Sequence, residues 1–177
     1  MNASLQVRWL VGGLVLVLAA CSPNPDLQRL QTTSRCTKCR LRGVNVAGQT
    51  FQQAILTGTD LSGANLSQAV LTGADLRGVN LRNANLQGAN LEGANLGEAD
   101  LTGADLAGAN LRQANLFKVQ LRGANLTKTD LRQAVLFGAN LTDTQLTQAD
   151  LVGANYSDST RFPPGFDPVS QLMERLK

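Results

Sequence analysis

"LEGANLGEADLTGADLAGAN" occupies residues 91–110 and carries a leucine at every fifth position, with a small residue two places before each leucine and an acid or amide between them. An α-helix repeats near 3.6 residues and a strand at 2, so leucines five apart would sweep around a helix or alternate between the faces of a strand. Neither gathers them into a core. Within a short extended stretch, residues two apart point the same way. The small residue and the leucine then face one interior, the Asp or Asn between them faces out, and the next two residues must turn the chain so that the following pair faces inward again. Glycine is concentrated at the second of these, as in Gly43, Gly48, Gly58, Gly63, Gly73, Gly78 and Gly88, where a corner favours a residue free of side-chain clash. A corner after every short edge winds a solenoid.

The phase holds far beyond the quoted stretch. Steps of five from Leu41 reach Val46, Phe51 and Leu56, then unbroken leucine over 61–151, then Tyr156, which makes 24 units. The residue two before each centre is most often alanine, with Val44, Gln49, Val79 and Val119 as exceptions and threonine at Thr59, Thr129 and Thr144. Tandem "A(D/N)LxG" over 41–156 resembles the pentapeptide-repeat family. The resemblance implies an all-β fold, a right-handed quadrilateral β-helix with four pentapeptides to a coil and about six coils in all. At a strand spacing of about 4.8 Å such a stack is roughly 29 Å tall. Stability is then distributed over nearest-neighbour contacts, which makes the ends the weak points.

Both ends carry signs of closure, and short helical caps are expected at each. Asn24 can cap and Pro25 can start a short helix with Leu27 and Leu30 on one side, which needs a surface to dock on because so short a helix is marginal alone. Cys36 lies five before Leu41 and Cys39 two before it, so both fall on the inward phase, where they can pack as small hydrophobes or close a disulfide. At the other end Arg161 stands where a leucine is expected, and "RFPPGFDP" over 161–168 breaks the pattern. Asp167 and Pro168 are placed to open a last helix with Leu172, Met173 and Leu176 on one side, while Phe162 and Phe166 cover the final coil and its open edge. Both ends resemble those cyanobacterial members of the family that have a short helix, a CxxC before the first repeat and an "FPxGFDP" tail.

"WLVGGLVLVLAA" over 9–20 is a twelve-residue apolar run behind a single basic side chain, Arg8. A membrane-spanning helix needs about 20 such residues, so the run reads as the apolar region of a secretory signal. Leu18, Ala19, Ala20 and Cys21 resemble the lipobox of bacterial lipoproteins, which implies lipidation of Cys21 and cleavage before it; an ordinary signal or an uncleaved anchor are the alternatives. Ser22 does not resemble the aspartate that marks inner-membrane retention in lipoproteins. Arg29, Arg35, Lys38, Arg40 and Arg42 follow as a basic cluster with no acid between them, read as solvated charge beside a capped end, with contact to anionic headgroups as the alternative.

The totals narrow the chemistry. There are 16 Lys+Arg against 13 Asp+Glu and no histidine in 177 residues. That balance gives neither a basic field for nucleic acid nor an acidic surface like a phosphate backbone. Without histidine, the commonest general base and metal ligand are missing. The columns of Asn and Asp, such as Asn65, Asn85 and Asp105, recur in most units and read as a structural ladder, since no carboxylate pair stands apart as an acid and base must. One outward column alternates Arg42, Ser62, Arg82, Thr102, Arg122 and Thr142 beside Asp60 and Asp100, which reads as a neutral solvated face.

One column interrupts the polar exterior: Phe117 and Phe137 follow their leucines on neighbouring coils, with Val135 beside them, so that two stacked rings would form a small apolar patch. The patch is a candidate partner site, and a ring pair that only stabilises the ladder is the alternative. The organisation expected is a signal at 1–20, a tether with a capping helix at 21–35, the β-helix at 36–156 and a terminal cap with a short helix at 157–177. The function expected is that of a non-catalytic scaffold or protein-binding module of the cell envelope, held to membrane lipid through Cys21, with no cofactor, metal or nucleic acid, an unidentified protein partner, and a monomer more readily than a dimer. The alternatives are a thiol redox protein using Cys36 and Cys39, and a DNA mimic that binds topoisomerase, as some members of the family do. Those members are acidic and cytoplasmic, and this chain resembles them in neither respect.

Overall fold

A computed structural model describes residues 24–176; the signal expected at 1–20 and the lipidation expected at Cys21 lie outside the described residues. From Arg35 to Val135 each outward residue pairs in parallel with the one twenty positions on, as Asn65 does with Asn85, Asn85 with Asp105 and Asp105 with Asn125. Four such columns run side by side, through Arg40, Asn45, Thr50 and Ile55. One coil therefore consumes four pentapeptides and is square in section. Successive coils are tied by the leucine N–H (Leu96 N to Asn115 O, 2.8 Å) and by the N–H of the residue before it (Asn95 N to Ala74 O, 2.9 Å), while the next small residue closes the corner back on the leucine (Ala99 N to Leu96 O, 3.0 Å). The result is a right-handed quadrilateral β-helix. Since a single residue per face joins each ladder, regular strand is confined, among the described residues, to β1 (Asn155–Tyr156) and β2 (Glu174–Arg175).

The leucine and alanine rows fill the interior, and nearly all are fully buried. Each such leucine contributes about 1.5–3 kcal/mol. Threonines in the alanine row satisfy their hydroxyls without water: Thr129 Oγ1 donates to Leu106 O (2.9 Å), and Thr59 donates in the same way to Cys36 O. The second residue of every corner over 38–153 has a positive φ, +65° at Gly43 and +67° at Gly153, as a four-residue turn with its third residue in the left-handed region demands. Glycine there has a second use. The stem of Lys118 lies 3.2 Å from where a Cβ on Gly138 would stand, and that of Gln53 lies 3.7 Å from the same place on Gly73. A side chain at one corner thus folds over a bare corner on the next coil.

At the N-terminal end α1 (Pro25–Thr33) starts as expected, with the Asn24 side chain accepting from the N–H groups of Asp26 (3.0 Å) and Leu27 (3.3 Å). Leu30 is buried in the common core and Leu27 packs against it. A disulfide joins Cys36 and Cys39, with a Cα separation of 5.4 Å, at the base of the first coil.

The C-terminal end departs from expectation in two ways. Arg161 does not stand in a leucine position: it pairs with Asn140, twenty-one positions before it, because the 157–160 loop holds one extra residue. Thr160 consequently takes the small position, its hydroxyl donating to Leu136 O (2.8 Å), and Phe162 takes the place of the leucine and packs on the core. Among the described residues no helix follows Pro168. Asp167 accepts from Val169 N–H (3.0 Å) in a local turn, after which β2 lies parallel to β1, with Glu174 and Leu176 donating to the carbonyls of Ala154 (2.9 Å) and Tyr156 (3.0 Å). The physical reason is the open coil edge. It offers fixed carbonyls that a marginal one-to-two-turn helix would leave unpaired. Met173 is buried, whereas Leu172, in a turn at φ 54°, and Leu176 are exposed. Phe162 meets Tyr156 edge-on (5.6 Å) and stacks on Phe166 (4.9 Å), so the aromatic cover forms as the sequence suggests.

Candidate functional site

The carboxylates and amides of the outward row are engaged at home. In most units the side-chain oxygen accepts from the N–H two residues on, as Asn65 does from Ser67 (3.1 Å) and Asp100 from Thr102 (2.9 Å). Several also link coils, as Asn80 Nδ2 does to Asp60 (3.0 Å) and Asn125 Nδ2 to Asp105 (3.0 Å). This local turn bond is the part of the Asp/Asn preference that a ladder alone does not explain. Its signal was in the sequence, because Asn and Asp favour a bond to the backbone two residues on.

Arginines complete the arrangement. Arg77 grips Asp75 (2.6 Å) and Arg132 grips Asp130 (2.5 Å), while Arg82 reaches up to Asp100 (3.0 Å) and Arg122 to Asp143 (3.2 Å). The hydrogen bond from Arg77 holds the Asp75 carboxyl below the usual carboxylate range, and Arg132 does the same to Asp130. Hydrogen bonds from Ser62 lower Asp60. Burial pushes Asp100 up, but hydrogen bonds from Thr102 and Arg82 outweigh it and leave it lowered. Each of these acids is fixed in its charged form. None is poised near neutrality to move a proton.

Phe117 is 37% exposed and, with Val152 on the last coil, is one of the large apolar side chains exposed on the rod, while Phe137 and Val135 are half-buried. The two rings do not form the stacked pair expected. Among the described residues the aromatic pairs are those of the C-terminal cover, and the Phe117 ring instead lies under the Lys118 ammonium, 4.9 Å from its centroid. Below Phe117 the same column continues as Gly97, Arg77 and Thr57. Gly97 stands one place earlier than the corner glycines and lacks their positive φ. Its missing side chain opens a shallow depression of about 520 Å³ between Arg77 and Phe117, floored by Asn95 and Asn115. The displaced glycine in "NLGEAD" was the sequence signal for this hollow.

Cys36 and Cys39 are buried, with Asp26 beside them. Both sulfurs are committed to the disulfide, and Asp26 accepts from Arg40 N–H (2.9 Å) and lies 3.7 Å from Arg29. A disulfide sulfur is not the thiolate that a metal needs. The cluster joins α1 to the first coil.

A family model described as pentapeptide repeats matches in eight copies over residues 39–78, 80–116 and 114–153. No curated protein matches the chain significantly. Among solved structures, a pentapeptide repeat protein of Nostoc is 34% identical over 63% of this chain and 84% of its own, with a TM-score of 0.30. Another, Rfr23 of the cyanobacterium Cyanothece, is 31% identical over 80% of this chain and 99% of its own, with a TM-score of 0.29. A third, from the thylakoid lumen of Arabidopsis thaliana, is 29% identical over 67% of this chain and 68% of its own, with a TM-score of 0.39.

Proposed function

The chain belongs to the pentapeptide-repeat family, and from that premise we propose that it is a non-catalytic scaffold that presents its flat faces to a protein partner at a membrane surface. A rod of about six coils, roughly 29 Å tall at the usual strand spacing, suits that task. The observation that carries the reading is the state of its polar groups. The outward carboxylates are neutralised or hydrogen-bonded within the rod, which leaves shape and a few exposed side chains as the means of recognition. The hollow beside Phe117 is the patch a partner would use, with an aromatic wall and a guanidinium at its other rim.

The apolar run at 9–20 and the lipobox-like residues before Cys21 support export and a lipid anchor on Cys21. Two or more acyl chains anchor a protein stably on a bilayer, each buried CH₂ contributing about 0.8 kcal/mol. The compartment is then extracytoplasmic: periplasmic side, outer membrane or thylakoid lumen. An oxidising compartment suits the Cys36–Cys39 bond, and its burial against α1 favours a structural role over thiol exchange, which needs an accessible sulfur.

The intact mass of the protein isolated from its native membranes, before and after reduction and alkylation, tests this. A mass for cleavage before Cys21 plus lipid, with Cys36 and Cys39 blocked until reduced, supports the reading; a full-length unlipidated mass with three free thiols overturns it. Replacing both residues, Cys36→Ser and Cys39→Ser, should lower the melting temperature by several degrees and leave the thiol state of neighbouring proteins unchanged. A photocrosslinker at Phe117 that captures no protein in those membranes, while one elsewhere on the rod does, would move the partner site.

A further inference from the structure

Charge is not spread evenly along the rod. Over residues 24–59 five basic side chains stand against one acid, whereas over 60–176 nine stand against twelve. The first coil and α1 are therefore net positive and the remainder net negative. All five basic residues, Arg29, Arg35, Lys38, Arg40 and Arg42, are exposed. Asp26 is taken by Arg29 and by the Arg40 N–H. Among the described residues no carboxylate lies within ion-pair distance of Arg35, Lys38, Arg40 or Arg42, Asp60 on the next coil being the acid that feels the charge of Arg42 from further off, although five arginines further up the rod each hold an aspartate.

The fold places these four along two adjoining faces of the first coil. Arg35 and Arg40 are the outward residues of adjoining faces of the first coil, pairing with Ile55 and Asp60. Lys38 is the corner between them, in the left-handed region at φ 55°, and Arg42 follows Leu41 on the second face. The chain also emerges at this corner: Asn24 Nδ2 donates to Arg40 O (3.1 Å). Cys21 is three residues before Asn24, a reach of at most about 11 Å. Lipid on Cys21 would hold the basic corner near one screening length, about 8–10 Å, from the headgroups.

We propose that Arg35, Lys38, Arg40 and Arg42 form an electrostatic foot that seats the basic corner of the first coil on anionic lipid headgroups and so fixes how the rod stands on the membrane. This rests on the lipid-anchor reading above. Each basic side chain at an anionic surface strengthens contact about fivefold, so four together amount to several hundredfold at low salt, most of which is lost at high salt.

The test uses the full chain isolated from membranes, with vesicles of phosphatidylcholine alone or mixed with phosphatidylglycerol. Flotation is measured first, then the acetylation rate of Lys38 relative to Lys128, an exposed lysine far up the rod. Flotation with both vesicle types is expected, with Lys38 modified several-fold more slowly on the anionic vesicles, and with high salt or the triple change Arg35→Gln, Arg40→Gln, Arg42→Gln removing that protection. An equal rate ratio on the two surfaces overturns the foot, as does protection that survives the triple change in a chain whose melting temperature is unaltered. The salt series on the natural chain decides the matter if the variant melts early. Flotation with anionic vesicles alone removes the anchor and leaves the foot standing; flotation with neither removes both.

Discussion

A single corner position shows how two demands fall on one residue. Gly108 and Gly138 share the same left-handed φ of 67°, so alanine is strained at either. A Cβ on Gly108 would meet nothing within 4 Å, whereas one on Gly138 would lie 3.2 Å from Lys118 Cγ, a stem atom close to its own backbone. Gly108→Ala should therefore cost about 1 kcal/mol, the left-handed penalty alone, and Gly138→Ala measurably more. Thermal denaturation of the two variants side by side checks this. Equal losses would mean that the Lys118 stem moves aside freely, and that glycine serves these corners through conformation alone.

The elements at the two ends obey different physics, and this decides how far each could be read from the sequence. Helix α1 was legible because its cap is local: Asn24, Pro25 and the Leu27/Leu30 spacing act within one turn. Leu30→Ala should cost about 2–4 kcal/mol at that end and detach α1 without melting the coils above. Limited trypsin digestion reads this as new cleavage after Arg29 with the rest of the chain resistant. The tail was legible only in part. The aromatic cover and the Asp167 turn were written locally, but the choice between helix and strand was made by the unpaired carbonyls of Ala154 and Tyr156, and the one-residue insertion before Arg161 shows only once Asn140 is across from it. The candidate hollow was missed for a related reason. Phe117 is visible in the sequence, but the space beside it depends on Arg77 and Gly97 arriving from the two coils below. A chain stopped after Arg161 should lose the β2 pairing and expose the edge that β2 covers. Such an edge pairs with others, so size-exclusion chromatography should show self-association that the full chain does not.

Over the whole molecule, the acids of the outer rows act together on stability. Asp60, Asp75, Asp100 and Asp130 sit on different coils, Asp60 and Asp100 on one face and the other two on faces of their own, and each has its pKa lowered by hydrogen bonds that require the charged form. A carboxyl lowered in the folded state binds fewer protons there than in the unfolded chain, whose aspartates titrate near 3.9. The contribution is present in full above that value and is lost as pH falls through the lower folded pKa. Because the sites are partly open to solvent and screened, each amounts to a fraction of a buried pair. A solenoid divides them among coils, so coupling between distant sites is weak and their effects should add. The melting temperature should accordingly be flat from neutral pH down to about 5 and fall below about 4. A variant with all four changed to asparagine, which keeps the turn acceptor but not the charge, should start lower at pH 7 and vary less with acid. If its acid profile parallels that of the natural chain, the pH sensitivity lies in other carboxylates, and the hydrogen bonds from Arg77 and Arg132 place those side chains without stabilising the rod.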